Sequence, residues 1–235
     1  MHEYKLPSID QSISGWLDQQ NREQQQDTNS KFRFSLTLSR QFGCEAYPMA
    51  VALKEALEKE DEGQSWTIFD RNLIDKILEE TQISRRVLEN FGSKSVFYDS
   101  LMSSLVPKWT SDADIYELMV KTIISAAQEG RAIFVGRGAA VVTQEMPRCF
   151  HFRLSGEREY RIGSLMRRRK LSREEVLSMM KEREAERERF ISRFLGSDTA
   201  AIDNYHMVLN TEKSSIDQMA QTILRHVKVH MDGLP

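Results

Sequence analysis

Three apolar runs of this chain stop at clusters that contain an arginine: SRQFG from residue 39, DR from residue 70 and GRG from residue 136. A guanidinium offers a planar fork of N–H donors and a fixed charge, which phosphate and carboxylate oxygens accept bidentately. In GRG the two glycines leave Arg137 free to approach a planar anion. A second reading, a tight turn with Arg137 pointing into water, stays open. Asp70 likewise reads as a helix cap, an arginine's partner, or an acceptor for a sugar hydroxyl or a magnesium-bound water. Residues 157–193 are dense in arginine, with glutamates interleaved as in KEREAERERF. Most of these pairs suit a solvated helix, each worth about 0.2–0.5 kcal/mol. The triplet Arg167, Arg168 and Arg169 stands before a helix break with no acid close in sequence. It suits a lid that closes on phosphates as charge develops.

Such residues act together only if the fold brings them to one edge. Five runs have strand character: 33–39 (RFSLTLS), 66–69 (WTIF), 132–136 (AIFVG), 149–154 (CFHFRL) and 206–210 (HMVLN). Several are apolar almost throughout, as in strands covered on both faces. Between them lie segments with helical spacing. Residues 49–60 place Met49, Leu53, Ala56 and Leu57 on one stripe, residues 115–129 form a long helix, and residues 214–230 close the chain. Ser172, followed by Glu174 and Glu175, starts another helix. Alternating strands and helices imply parallel crossovers and a three-layer α/β fold, with ligands at the carboxyl ends of the strands. Residues of about 73–111 break the alternation and read as a helical insertion over that edge.

Composition bounds the rest. A chain of 235 residues suits one large domain, and 40% apolar residues supply a sizeable core. A net charge of −2 gives no global footprint for nucleic acid or an anionic membrane. The arginine-rich segment is balanced by glutamates and poor in aromatic residues for base stacking, so no nucleic-acid partner is expected. No run approaches the roughly 18 apolar residues of a membrane span. The first residues hold no apolar signal core, and two cysteines, Cys44 and Cys149, suggest neither a metal motif nor a disulfide framework. A cytoplasmic location is the expectation. Residues 1–31 read as a short arm and a Gln-rich polar linker, ahead of one domain over 32–235.

Taken in order, these landmarks resemble the cytidylate kinase-like branch of the P-loop nucleoside monophosphate kinases, over roughly residues 33–229. SRQFG is similar to that branch's variant phosphate loop, and FDRNLID to its Asp-containing motif. IFVGRGAAVV resembles its GRD segment, EREAERERF its lid-to-helix segment, and YHMVLNTEKSSIDQMAQTIL its closing strand and helix. The resemblance implies a five-stranded parallel sheet flanked by helices, with a helical insertion and an arginine-rich lid at about 158–195. It implies ATP as donor with Mg2+, and a nucleoside monophosphate such as CMP or dCMP as acceptor. The phosphate loop would be Ser39, Arg40, Gln41, Phe42, Gly43, Cys44, Glu45 and Ala46. Asp70, Arg71, Gly136, Arg137 and Gly138 would hold the acceptor, with Asp70 near the magnesium. Arg40, Arg137, Arg167, Arg168, Arg169 and Arg189 would neutralise the phosphoryl in flight. A homodimer is compatible with all of this.

The departures define a second expectation, a relative that binds nucleotide as a sensor or interaction domain with little catalysis. A standard Walker loop, GxxxxGK[ST], uses lysine for phosphate charge and Ser/Thr for magnesium. With Arg40 where the first glycine would be, this chain has Ala46 at the lysine and Tyr47 at the Ser/Thr, and Gly138 stands in for an acid. Glu45 adds a like charge that would cost about 4 kcal/mol at ~4 Å and an effective dielectric of ~20. Arg40 could replace the missing cation. Cys44 reads either as a thiolate at a helix N-terminus or as a space-filling residue. His151 is expected to alternate outward from its strand with a structural role.

Overall fold

The structure is a computed structural model that describes residues 32–79, 112–190 and 201–231. The expected arm and linker lie outside the described residues, as do most of the expected insertion and the last part of the lid. The elements run β1 (Ser35–Arg40), α1 (Ala46–Glu60), β2 (Thr67–Phe69), α2 (Arg71–Glu79), α3 (Asp112–Glu129), β3 (Ala132–Val135) and α4 (Ala139–Val142). They continue with β4 (Cys149–Ser155), α5 (Arg158–Arg169), α6 (Arg173–Phe190), a 3-10 turn (Ile202–Asn204), β5 (Met207–Asn210) and α7 (Ile216–Met231).

The five strands form one sheet in the order β2-β3-β1-β4-β5, with every neighbouring pair parallel. β1 is central, and Ser35, Leu36, Thr37 and Leu38 are all buried. That explains its near-continuous apolar sequence, because helices cover both faces. On one face α1 and α7 seat Met49, Leu53, Leu57, Ile223 and Val227 against Leu36, Leu38, Phe150 and Phe152. On the other, α2 and α3 bring Ile74, Ile77 and Ile123 onto Phe69 and Phe134, whose rings stack at 5.1 Å. Each such side chain contributes about 1.5–3 kcal/mol by leaving water. A smaller cluster of Ile162, Leu165, Val176 and Met180 ties α5 to α6, and Phe42 packs on it. The loop after β1 is thereby attached to the arginine-rich helices.

Local chemistry sets the helix ends. Ser172 and Glu175 exchange hydrogen bonds in a capping box at the start of α6, 2.7 Å from the Ser172 N–H and 3.3 Å from the Glu175 N–H. Ser215 and Gln218 do the same at α7. The break after the arginine triplet is real: α5 ends at Arg169, and Lys170 follows in the left-handed region at φ +55°. α1 begins three residues before the expected stripe. Pro48 sits in its first turn, where the missing N–H is no loss, so the helix starts upstream of it.

One expectation is corrected. His151 does not face outward; it is 3% exposed, with Nδ1 2.9 Å from the Thr37 hydroxyl. β4 lies between β1 and β5 in a sheet covered on both sides, so this strand has no outward face there. Among the described residues no helix is long and apolar enough to cross a membrane.

Candidate functional site

The loop from β1 into α1 is short, and its shape is held from α5. Gly43 sits at φ +102°, and a Cβ there would lie 2.8 Å from the Arg161 Cβ and 3.1 Å from its carbonyl oxygen. Only glycine fits that contact. Arg161 donates through Nη1 to the Phe42 carbonyl at 3.0 Å and through Nε to the Gly156 carbonyl at 3.0 Å. Arg168 donates to the Gly43 carbonyl at 2.7 Å. Gln41 accepts the Gly156 N–H at 3.0 Å, which fastens the loop to the end of β4. Within the loop, the Cys44 N–H donates to Gln41 and the Ala46 N–H to Cys44, at 3.2 and 2.9 Å. Glu45 turns out of the loop: Ser164 donates to its carboxylate at 2.8 Å, and Arg168 Nε lies 3.5 Å away. Cys44 is 6% exposed and accepts from Thr211, and burial pushes its thiol above the ordinary range. The space-filling reading of Cys44 therefore holds, since a reactive thiolate needs access and a lowered pKa.

Beside the loop, at the carboxyl ends of β1 and β3, opens a cavity of about 1340 Å³. Among the described residues nine arginines line it, against four glutamates, so that part of the lining is electropositive. Arg40 crosses from β1 to β3; its Nη1 would lie 1.7 Å from a Cβ at Gly136, so that glycine clears its path. Burial first, then the neighbouring Arg187, brings the Arg40 pKa down to about 10, with Asp70 opposing and Arg137 adding to the shift. It stays charged at neutral pH. Gly136, Arg137 and Gly138 follow one another at positive φ, +81°, +55° and +71°. A left-handed arginine between two glycines is a strained turn, held here by the Ala139 N–H on the Gly136 carbonyl at 3.1 Å. Arg137 pairs with Asp75 of α2, while its buried Nε finds no hydrogen-bond partner among the described residues. Burial lowers its pKa and Asp75 opposes the shift. Both readings of GRG are realised in part: the turn is tight, and its arginine faces the cavity.

The sequence-selected residues divide into two groups. Ser39, Arg40, Gln41, Phe42, Arg71, Gly136, Arg137, Gly138, Arg169 and Arg189 all line the cavity. Gly43, Cys44, Glu45, Ala46, Asp70, Arg167 and Arg168 are not part of its lining. Asp70 caps α2 by accepting the Leu73 N–H at 2.9 Å, within reach of the charges of Arg40 and Arg137. Among the described residues no group of three or more His, Cys, Asp or Glu side chains could hold a metal ion. Divalent cations with nucleotides take most of their ligands from phosphate and water, so the Asp70 carboxylate fits such an ion as a single contact. Arg71 reaches Asp75 at 3.5 Å and Glu186 at 3.7 Å.

Several contributors were not singled out from the sequence. Arg161 and Ser164 share one face of α5 with Arg168, and their spacing of three and four residues was the available signal. Arg153 is a charge inside an otherwise apolar strand. It is 8% exposed, donates to Ser39 at 3.2 Å and lies 5.6 Å from the Tyr205 ring. Arg187 of α6 donates to the Arg40 carbonyl at 3.0 Å.

Among solved structures, an uncharacterized protein from Eubacterium ventriosum ATCC 27560 is similar, with a TM-score of 0.60 at 14% identity, over 84% of this chain and 99% of that one. A dephospho-CoA kinase from Campylobacter jejuni aligns with a TM-score of 0.35 at 9% identity, over 82% of this chain and 96% of the other. The first likeness shows a shared fold; the second is too distant to carry an argument. No curated protein matches the sequence. The family model described as "Cytidylate kinase-like family" matches residues 35–213, from the first residue of β1 to just past β5. With the parallel sheet, the loop after β1 and the arginines at the strand ends, that match makes the chain a member of the cytidylate kinase-like family.

Proposed function

We propose that the protein is an ATP-dependent kinase of nucleoside monophosphates, with CMP or dCMP as acceptor. The observation that carries this reading is the crowding of Arg40, Arg137 and Arg187 at one mouth of the cavity. Cations held so close, and partly out of water, favour a multiply charged anion between them. The unpartnered Arg137 Nε suits an acceptor phosphate, which would compete with Asp75 for the guanidinium.

In this reading the loop from Ser39 to Ala46 binds the donor phosphates, with Glu45 turned out of it and Cys44 buried, while Asp70, Arg71, Gly136, Arg137 and Gly138 hold the acceptor. Arg40 and Arg137, joined by Arg167, Arg168, Arg169 and Arg189 of the lid, neutralise the phosphoryl between donor and acceptor. Transfer of this kind needs positioning and charge stabilisation, with little covalent work for the protein. Magnesium bound with ATP would supply positive charge to offset that of the phosphates, and Asp70 would be the side chain to hold it. The domain boundaries follow the same reading: an arm and linker over 1–31, an acceptor-covering insertion at about 73–111 and a lid at about 158–195. So do a cytoplasmic location, the absence of nucleic-acid and membrane partners, and compatibility with a homodimer.

The test is ADP formation from ATP, Mg2+ and CMP. Arg137→Ala is expected to lower kcat/KM by about 100-fold, the scale of losing one transition-state donor. Arg158→Ala, exposed on α5, is expected to leave it unchanged. Equal activity in the wild type and Arg137→Ala would remove Arg137 from the mechanism. One observation favours a second reading, a nucleotide-binding relative with little turnover: two loop N–H groups, of Cys44 and Ala46, are already engaged within the loop. Calorimetry that finds micromolar nucleotide binding without turnover would select it.

A further inference from the structure

Glu45 is the one acid in the loop between β1 and α1, and the one loop side chain that pairs with an arginine of α5. Arg161, Ser164 and Arg168 lie on one face of α5, toward the loop. Arg161 and Arg168 donate to the successive carbonyls of Phe42 and Gly43, at 3.0 and 2.7 Å. Ser164 is fully buried between them; it donates to Glu45 at 2.8 Å and accepts from Arg168 Nε at 3.2 Å. Because a trans peptide sets C=O and N–H on opposite sides, the Phe42 carbonyl held on α5 turns the Gly43 N–H the other way.

We propose that Glu45 is an internal stand-in for phosphate: it holds Arg168 on the loop, and an arriving triphosphate takes Arg168 over from it. Three features argue for exchange rather than a permanent tie. The carboxylate and guanidinium are 3.5 Å apart, longer than a good charged hydrogen bond, and the stronger contacts of each go elsewhere. Their side chains keep 26% and 36% of their exposure, so the pair is partly in water, where such ion pairs are weak. Ser164 gives Glu45 a neutral partner that stays behind when Arg168 leaves. The arrangement also settles how an acid is tolerated in this loop, since its charge is compensated before any nucleotide arrives. Glu45 is thus a positioning residue that acts through Arg168, with the consequence that donor affinity is held below what the loop could give.

This rests on the nucleotide-binding reading above, and the test separates the two. The full chain is titrated by calorimetry with MgATP and, separately, with inorganic tripolyphosphate, as wild type, Glu45→Gln, Arg168→Met and the double variant, each checked for an unchanged circular dichroism melt. Glu45→Gln keeps an acceptor for Ser164 and removes only the charge. It is expected to tighten both ligands about three- to fivefold, the scale of an exposed ion pair, and to have no effect once Arg168→Met is present. Unchanged or weaker binding in Glu45→Gln overturns the proposal. So does equal tightening with and without Arg168, which would mean that Glu45 repels phosphate directly. Binding of neither ligand to any of the proteins overturns the nucleotide-binding reading itself, and the stand-in role with it.

Discussion

At the scale of single residues, the site is defined by contacts between the ends of neighbouring strands. Gly136 shows this most sharply. A methyl group there would meet the Arg40 Nη1 at 1.7 Å, from a backbone at φ +81°. The obstacle is the far end of a flexible side chain, so Arg40 would move away and the fold would accommodate the change. Gly136→Ala is therefore expected to lower kcat/KM at least about tenfold, on the scale of a misplaced charge in a phosphoryl-transfer site, while the melting temperature falls by only a few degrees. A loss of stability as large as the loss of activity would contradict that separation. The GRG cluster was legible in the sequence because two glycines around an arginine are a local pattern. Arg40 was marked too, but its contact with that turn was not legible, because it depends on β1 pairing with β3, with Leu38 beside Val135. For Glu45 the sign of the charge could be read, but its direction could not; the residues that turn it, Ser164 and Arg168, stand more than a hundred positions away.

At the scale of elements, strands and helix starts were the legible part. Covered parallel strands are apolar throughout, and capping boxes such as Ser172 with Glu175 are written in four consecutive residues. Ties that lock one element to another were less so. Asp61, just past α1, accepts from Arg131 Nε at 2.6 Å and from the Trp66 indole at 3.3 Å, with the Asp61 and Arg131 side chains only 6% and 11% exposed. This pair joins the end of α1 to the starts of β2 and β3, beneath the site. Asp61→Ala leaves a buried guanidinium without its carboxylate and is expected to cost about 3–5 kcal/mol, measured by urea unfolding. A change under about 0.5 kcal/mol, the value of an ordinary surface substitution, would show that the pair ties nothing together. The arginine-rich segment illustrates the limit of pattern reading. Spacing alone marks it as a solvated helix, and α6 does carry such a pair in Arg183 with Glu186. Yet α5 uses the same residue type to grip loop carbonyls, which only the packing of Phe42 on the α5–α6 cluster explains.

At the scale of the whole molecule, the end of the sheet opposite the cavity has its own sensitivity. His151, His206, His226 and His230 come together there, with ring centroids 5.4 Å apart for His151 and His206, 5.8 Å for His206 and His226, and 4.1 Å for His226 and His230. Burial, with the neighbouring His206, lowers the His151 pKa to about 4, and burial also lowers His206 and His226. A histidine whose folded pKa is depressed binds fewer protons folded than unfolded between the two values. Its stabilising contribution is thus complete above the ordinary value of 6.5 and is lost as pH falls toward about 4. For His151 the full effect is on the order of 3 kcal/mol. The melting temperature is expected to fall steeply as pH drops from about 7 to about 5, with a shallower slope in His151→Leu; a flat profile would contradict the buried neutral cluster. Nothing in the sequence joined these histidines, because β4, β5 and α7 meet only in the folded sheet. The fold class and the placing of Arg40, Arg71 and Arg137 on the cavity, by contrast, followed from strand ends in an alternating chain. The central claim is that this cavity accepts a nucleoside monophosphate, and it is tested most directly by ADP formation from MgATP across CMP, dCMP, UMP, AMP and GMP. The expected result is turnover that depends on the monophosphate and is fastest with CMP or dCMP. Absence of monophosphate-dependent ADP formation with every one of them would contradict it.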